Sequence, residues 1–135
     1  MNYYAVIDTN VLVSAMLHWK SVPGSIIVES LTGRITPLLN DKILTEYREV
    51  LSRPKFRFSK HSIEIFLDDF LKRCIYLDAG SVEEQLPDPN DTVFYEIVME
   101  ARKNNDAYLI TGNKKHFPVR PFIVTPREMM DIINS

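Results

Sequence analysis

Apolar positions along the chain switch between two periods. Tyr3-Tyr4-Ala5-Val6-Ile7 is a run of strand formers that stops at Asp8. Beyond it Val11, Leu12, Ala15, Met16 and Trp19 recur at helical spacing, one face of a first helix. Lys20-Ser21-Val22-Pro23-Gly24 is a loop or helix-start signal, and Ser25 to Leu31 predicts a short second helix stopped by Gly33. Ile35 to Leu39 predicts a second strand. Asn40-Asp41 caps a third helix with the stripe Ile43, Leu44, Tyr47, Val50 and Leu51. Arg53-Pro54 ends it, because proline keeps the preceding residue out of helical backbone. A basic, aromatic connector, Lys55 to Lys60, leads to a helix carrying Ile63, Phe66, Leu67, Phe70 and Leu71, and Ile75 to Leu77 is a third strand.

Asp78 to Asp91 is polar, with Gly80, Pro87 and Pro89, and reads as loop. From Thr92 a helix shows Val93, Phe94, Ile97, Val98 and Ala101, and Asn104-Asn105-Asp106 breaks it. Tyr108-Leu109-Ile110 is a fourth strand running into Thr111-Gly112-Asn113, Phe122 to Val124 a fifth, and Pro126 starts a last helix with Met129, Met130, Ile132 and Ile133. Strands alternate with helices throughout. That pattern predicts one α/β domain over residues 1–135, a three-layer α/β/α sandwich with a mainly parallel central sheet.

Composition narrows the function more than the fold. A chain of 135 residues can bury a real core. Lys and Arg total 16 against 18 Asp and Glu, which is not the balance of a protein that grips nucleic acid by charge alone. If it handles nucleic acid, the basic residues are local or a cation helps. The single cysteine, Cys74, excludes an intrachain disulfide, and its apolar run Cys74-Ile75-Tyr76-Leu77 suggests a buried strand thiol rather than a nucleophile. No stretch approaches the roughly 18 apolar residues of a membrane span. The amino terminus lacks a signal-peptide pattern, so the expectation is a cytoplasmic protein with no membrane attachment.

The candidate chemistry lies in acids placed at element ends. Asp8 ends the first strand. Glu46 lies at the edge of the third helix's apolar stripe, while Glu49 points the other way. Asp88 and Asp91 flank Pro89-Asn90 just before a helix, and Asn113 follows the fourth strand as Asp8 follows the first. Each has an ordinary alternative: Asp8 or Thr9 as a helix cap, Glu46 as a solvated flank, Asp-Pro-Asn-Asp as a turn and cap, Asn113 as a turn residue. Together they would converge beyond the carboxyl edge of a parallel sheet, where such folds bind ligands. Carboxylate oxygens suit hard cations such as Mg²⁺ or Mn²⁺. No zinc-type His/Cys spacing exists, and His18, His61 and His116 are scattered and read as surface groups.

Four blocks in order resemble the PIN domain, a family of metal-dependent ribonucleases. They are Val6-Ile7-Asp8-Thr9-Asn10-Val11-Leu12-Val13-Ser14; Glu46 ahead of Val50-Leu51-Ser52-Arg53-Pro54-Lys55; Asp88-Pro89-Asn90-Asp91 with Phe94-Tyr95-Glu96; and Asp106-Ala107-Tyr108-Leu109-Ile110-Thr111-Gly112-Asn113. The chain is most similar to single-domain members regarded as toxins of toxin–antitoxin pairs. The resemblance implies hydrolysis of RNA phosphodiester bonds with Mg²⁺ or Mn²⁺. By motif, Asp8, Glu46 and Asp91 carry catalysis and hold metal, with Asp88 an additional metal acid. Thr9, Asn10, Thr111 and Asn113 take supporting roles. It also implies RNA, an antitoxin protein and a second copy in a homodimer as partners. Many members have Asp where this chain has Asn113, which removes one negative charge. Arg53, Lys55, Arg57 and Lys60, with Phe56 and Phe58 between them, would grip single-stranded RNA by charge and stacking. The alternative there is a solvated loop whose phenylalanines tuck into the core.

Two other enzyme classes fit poorly. A haloacid-dehalogenase-type phosphotransfer site needs a second Asp two residues after the first, where this chain has Asn10. A Rossmann nucleotide site needs a glycine-rich turn, and Gly24, Gly33, Gly80 and Gly112 are far apart. The alternative that stays open is a non-catalytic PIN-like module that binds RNA or a protein without cleaving.

Overall fold

The computed structural model describes residues 2–135. Five strands form one sheet in the order β3-β2-β1-β4-β5, every neighbouring pair parallel: β1 (Tyr3–Ile7), β2 (Ile35–Leu39), β3 (Ile75–Tyr76), β4 (Tyr108–Ile110) and β5 (Ile123–Val124). Among the described residues six α-helices flank it: α1 (Thr9–Leu17), α2 (Val22–Thr32), α3 (Asp41–Leu51), α4 (Lys60–Leu71), α5 (Thr92–Ala101) and α6 (Pro126–Asn134). The expected α/β/α sandwich is the observed one. α2 packs against β2 and α6, while α5 packs against β1, β2, β4 and α3. The sheet is wholly rather than mainly parallel.

The central strands are covered on both faces, so their apolar runs are continuous rather than alternating. Ala5, Val6 and Ile7 of β1, Leu109 and Ile110 of β4, and Ile35 and Leu39 of β2 are fully buried. Pro37 sits inside β2 although proline cannot donate to a ladder. β3 joins β2 only from Leu38 onward, so at Pro37 the strand is still a sheet edge. Tyr47, fully buried on α3, packs edge-on against Phe70 (centroids 6.2 Å apart) and near Phe94 (6.5 Å). Its hydroxyl donates to the carbonyl of Ile7, which fixes the chain immediately before Asp8.

Several element boundaries differ from the periodic pattern. α1 ends at Leu17, and Trp19 lies beyond it, in a turn, with its ring 6.0 Å from Phe66. α2 begins at Val22, not Ser25, because the Ser21 hydroxyl caps Gly24 N (3.1 Å) and Pro23 fits the first turn. Gly33 stops that helix in the left-handed conformation at φ 97°. β3 is a two-residue edge strand with both residues exposed. Cys74 therefore does not lie in a buried strand. It is half-buried in the turn before β3, its thiol donates to the Phe70 carbonyl at 3.4 Å, and burial pushes its pKa up to about 12. The thiol is inert at neutral pH, as expected for a non-nucleophile.

Asn40 caps α3 by accepting from Ile43 N at 3.0 Å, and Thr125 with Glu128 forms a reciprocal capping box at α6. No single helix among the described residues is long and apolar enough to cross a membrane. α1 and α2 together have the length but meet at 103°.

The strand order decides where a site can form. The chain runs outward from β1 through β2 to β3, then returns to the other side of β1 for β4 and β5. The reversal lies between β1 and β4, and beyond the carboxyl ends of those strands the connecting segments diverge and leave a crevice.

Candidate functional site

Asp8 occupies that crevice. It follows the last residue of β1, is only 6% exposed, and stands at the N-cap position of α1. Its carboxylate makes no capping hydrogen bond. Instead Oδ2 accepts from the Thr111 hydroxyl at 2.7 Å, across the β1–β4 seam. Thr111 is fully buried, and its oxygen also accepts from Asn113 N at 3.0 Å, so one hydroxyl ties the acid of β1 to the loop leaving β4. Asn10 supports the same loop, its Oδ1 accepting from Gly112 N at 3.3 Å.

Asp91 stands just before α5, already in helical backbone (φ −81°, ψ −14°), and makes no side-chain cap. The preceding 3-10 turn, Pro89–Asp91, is capped by Asp88, whose Oδ1 accepts from Asn90 N at 2.9 Å. That leaves Asp91 free to point elsewhere. Its Oδ2 is buried with no hydrogen-bond partner. The Nδ1 of His116 lies 3.2 Å away, within ion-pair range but not aligned as a hydrogen bond. Buried polar atoms are nearly always satisfied, so an orphaned carboxylate oxygen is a conspicuous exception.

Glu46 lies half-buried on α3, as its place beside the apolar stripe implied, and accepts a short hydrogen bond from the Thr9 hydroxyl. Glu49 faces solvent and pairs with Arg53 at 3.8 Å. A hollow of about 400 Å³ opens beside Glu46, lined also by Lys42, Asn90, Thr92 and Glu96.

The acids feel one another. Burial raises the Asp8 pKa from 3.8 to about 6. The Thr111 hydrogen bond opposes the rise, and the charges of Asp91 and Glu46 add to it. Burial also raises Glu46, with further lift from Asp91, Glu49 and Asp88 against the pull of Thr9. Asp91 is raised by burial and then by Asp88, with His116 opposing. Like charges gathered where water is partly excluded disfavour joint ionisation.

The donor set consists of hard carboxylate oxygens with one orphaned, which suits a hard divalent cation. As described, the side chains do not form a closed cage: no three of the described His, Cys, Asp and Glu residues are already gathered as ligands around one point. Hard cations such as Mg²⁺ commonly keep several waters and take one or two protein carboxylates, so a partly open site fits them.

Asn113, two residues beyond Thr111 in the loop leaving β4, is half-buried and its Nδ2 lies 2.9 Å from His116 Nε2. His116 is therefore not the plain surface group its isolated position suggested. It ends the 3-10 turn Lys114–His116 and reaches between Asn113 and Asp91. Its sequence neighbourhood carries no periodicity, and only the proximity of the 113 loop to the acids could have signalled it. His18 and His61 are exposed, as expected.

The basic connector is arranged differently from a stacking platform. Phe56 and Phe58 stack on each other (5.9 Å) and pack against the core, with Lys55 Nζ 5.1 Å from the Phe56 ring. Arg53, Lys55, Arg57 and Lys60 stay exposed. A hollow of about 450 Å³ lies beside this segment, lined by Arg48, Ser52, Phe58, Lys60, Ile63 and Glu64. It contains none of the converging acids.

A family model described as PIN domain matches residues 4–115. The matched span includes Asp8, Glu46, Asp88, Asp91 and Asn113 and stops one residue short of His116. No curated protein and no solved structure matches the chain.

Proposed function

The chain belongs to the PIN-domain family, whose members are generally nucleases, and from that premise we propose that it is a metal-dependent ribonuclease. Asp8 and Asp91 hold the ion, Mg²⁺ or Mn²⁺. Glu46 and Asp88 stand by as further acids. The observation that carries this is a pair of buried carboxylates not used by their own helices: Asp8 accepts from Thr111 across the sheet, and Asp91 leaves Oδ2 without an aligned donor. Both are held partly desolvated beside like charge, an arrangement that costs stability unless a cation joins it.

When bound, the ion would supply charge neutralisation at the scissile phosphate and a lowered pKa for the attacking water. The chain's own residues do the rest. Thr111 holds Asp8 in one rotamer by donating to Oδ2. Thr9 holds Glu46 at the rim, from which it would orient water. The amino-terminal ends of α1 and α5 face the acids with the positive ends of their dipoles, favouring anions such as a phosphodiester. Lys42 and Asn90, lining the adjoining hollow, would contact the RNA strand. The cations of the connector, Arg53, Lys55, Arg57 and Lys60, would add long-range attraction rather than stacking, because their phenylalanines are already occupied.

The test is cleavage of a labelled single-stranded RNA with Mn²⁺ or Mg²⁺, with EDTA as control, by wild type and by Asp8→Asn and Asp91→Asn. Metal-dependent cleavage lost in both variants supports the proposal. Undiminished cleavage in both overturns the residue roles, and no cleavage by the wild type with either metal overturns the reaction. One observation favours a second reading, a non-catalytic module that binds RNA or a protein. The acids are not drawn into a closed cage, and Asn113 replaces a family carboxylate. RNA binding without cleavage would identify that case. A toxin role, with an antitoxin partner and a homodimer, is the finer form of the first reading. Arrest of bacterial growth on expression, relieved by a neighbouring gene product, would support it.

A further inference from the structure

His116 has no part in the function proposed so far, yet it touches the one orphaned acid. Its Nδ1 lies 3.2 Å from Asp91 Oδ2, and the two are not aligned as donor and acceptor. The contact is an ion pair that leaves Oδ2 without an aligned donor. The spacing has a second meaning. Two donors about 2.1 Å from one ion, at right angles, stand about 3.0 Å apart. His116 Nδ1 and Asp91 Oδ2 are spaced as neighbouring ligands of one ion.

The far side of the ring agrees. A ligating histidine almost always has its other nitrogen held by a carboxylate, a carbonyl or water, which fixes the ring's orientation and tautomer. Here Asn113 lies 2.9 Å from Nε2. The position where the family often carries an acid therefore carries a neutral amide, and that amide grips a histidine. The Asn113 contact fits either tautomer of the ring. Coordination through Nδ1 needs the one with its proton on Nε2, where the amide oxygen accepts it. The ring stays neutral and no proton is lost overall.

We propose that His116 Nδ1 is a donor to the divalent ion at Asp91, held from behind by Asn113, in place of the carboxylate this chain lacks. The inference rests on the metal-dependent reading above and deepens it by predicting which ions the site prefers. An imidazole nitrogen draws a site toward borderline ions such as Co²⁺, while purely carboxylate sites suit Mg²⁺ and Mn²⁺. Exchanging His116 for alanine should cost little in folding, since its side chain is 46% exposed.

The experiment uses metal-free full-length protein, wild type and His116→Ala, titrated calorimetrically with Co²⁺, Mn²⁺ and Mg²⁺. Circular dichroism confirms that both are folded. The Co²⁺-loaded proteins are then examined by proton NMR for an exchangeable imidazole N–H shifted outside the diamagnetic range. Wild type should bind Co²⁺ more tightly than Mg²⁺. His116→Ala should lose at least about tenfold in Co²⁺ affinity, lose much less for Mg²⁺, and lack the shifted N–H. Equal affinities in the two proteins, or no shifted N–H in the wild type, would overturn the role of His116 and leave the ribonuclease proposal standing. A wild type that binds none of the three ions would overturn the metal-dependent reading itself, and this inference with it.

Discussion

Thr111 donates its hydroxyl proton to Asp8 at 2.7 Å, joining two buried positions just beyond neighbouring strands. The bond supports the charged form of Asp8 and is the strongest influence holding its pKa down. Thr111→Val keeps the shape and removes the donor. Its cost should reach about 1–3 kcal/mol near pH 8, where Asp8 is ionised and left short of a partner. Near pH 4 the cost should shrink to that of the bond the same oxygen accepts from Asn113 N. Urea denaturation at the two pH values measures the difference, and an equal cost at both would show that the hydroxyl does not serve the Asp8 charge.

Burial, not the fold's need for a charge, sets the titration of Asp8. Its folded pKa of about 6 lies above the ordinary 3.8. A raised carboxylate pKa stabilises the fold fully below the unfolded value, and that contribution disappears as pH rises through the folded value. Metal-free wild type should therefore lose on the order of 3 kcal/mol from this residue between pH 4 and pH 7. Asp8→Asn removes the titrating group, so the variant should be the more stable protein at pH 8 and show a flatter profile. Saturating Mn²⁺ should raise the wild-type melting temperature most at the alkaline end. Calorimetric melts of both proteins, with and without metal, test all three statements, and parallel profiles for wild type and variant would count against them.

Replacing Asn113 by aspartate puts a carboxylate behind His116 at the 2.9 Å contact now made by an amide. A carboxylate acceptor orients a ligating imidazole more strongly and raises its basicity. Asn113→Asp should tighten Mn²⁺ binding on the order of tenfold and raise RNA cleavage with it. In the absence of metal it should lower stability by adding a fourth negative charge beside Asp8, Glu46 and Asp91. Titration calorimetry reads the first effect, and unchanged affinity would place residue 113 outside the site.

Gly24 lies so close to Trp19 that a β-carbon there would meet the Trp19 carbonyl oxygen at 2.0 Å. Gly24→Ala must push the start of α2 away from the turn after α1, at about 1–3 kcal/mol. Trp19 is the single tryptophan, so its fluorescence maximum should shift along with the denaturation midpoint. An unmoved spectrum and midpoint would mean the two helices meet more loosely than described.

The sequence carried the placement of the candidate acids, each at a change of period or beside an apolar stripe. Asp8 ends a strand run and begins a helical one. Asp91 stands before a helix whose stripe starts at Val93, and Glu46 flanks an apolar stripe. Such positions are set by local pattern and were legible. Thr111 was legible as a supporting residue, although the bond itself spans two strands. His116 was not, because a single residue in a 3-10 turn has no periodicity, and its partners Asn113 and Asp91 converge only through the β1–β4 pairing. The apolar run around Cys74 misled for a related reason: a short run gives no sign of whether its strand will be central or at an edge. Trp19 extended the apparent stripe of α1 because a turn placed it against Phe66. The connector's phenylalanines could equally have faced RNA or the core, and their mutual stacking decided for the core.

The Thr111–Asp8 bond joins positions 103 residues apart in the chain. During synthesis Asp8 emerges early and waits for most of the polypeptide before its partner exists. A nascent chain stalled ahead of β4 carries Asp8 in water, as an ordinary carboxylate with no crevice around it. The crevice arises only when β4 inserts beside β1. A copy whose synthesis has not yet reached β4 therefore lacks the crevice, including one still attached to its ribosome.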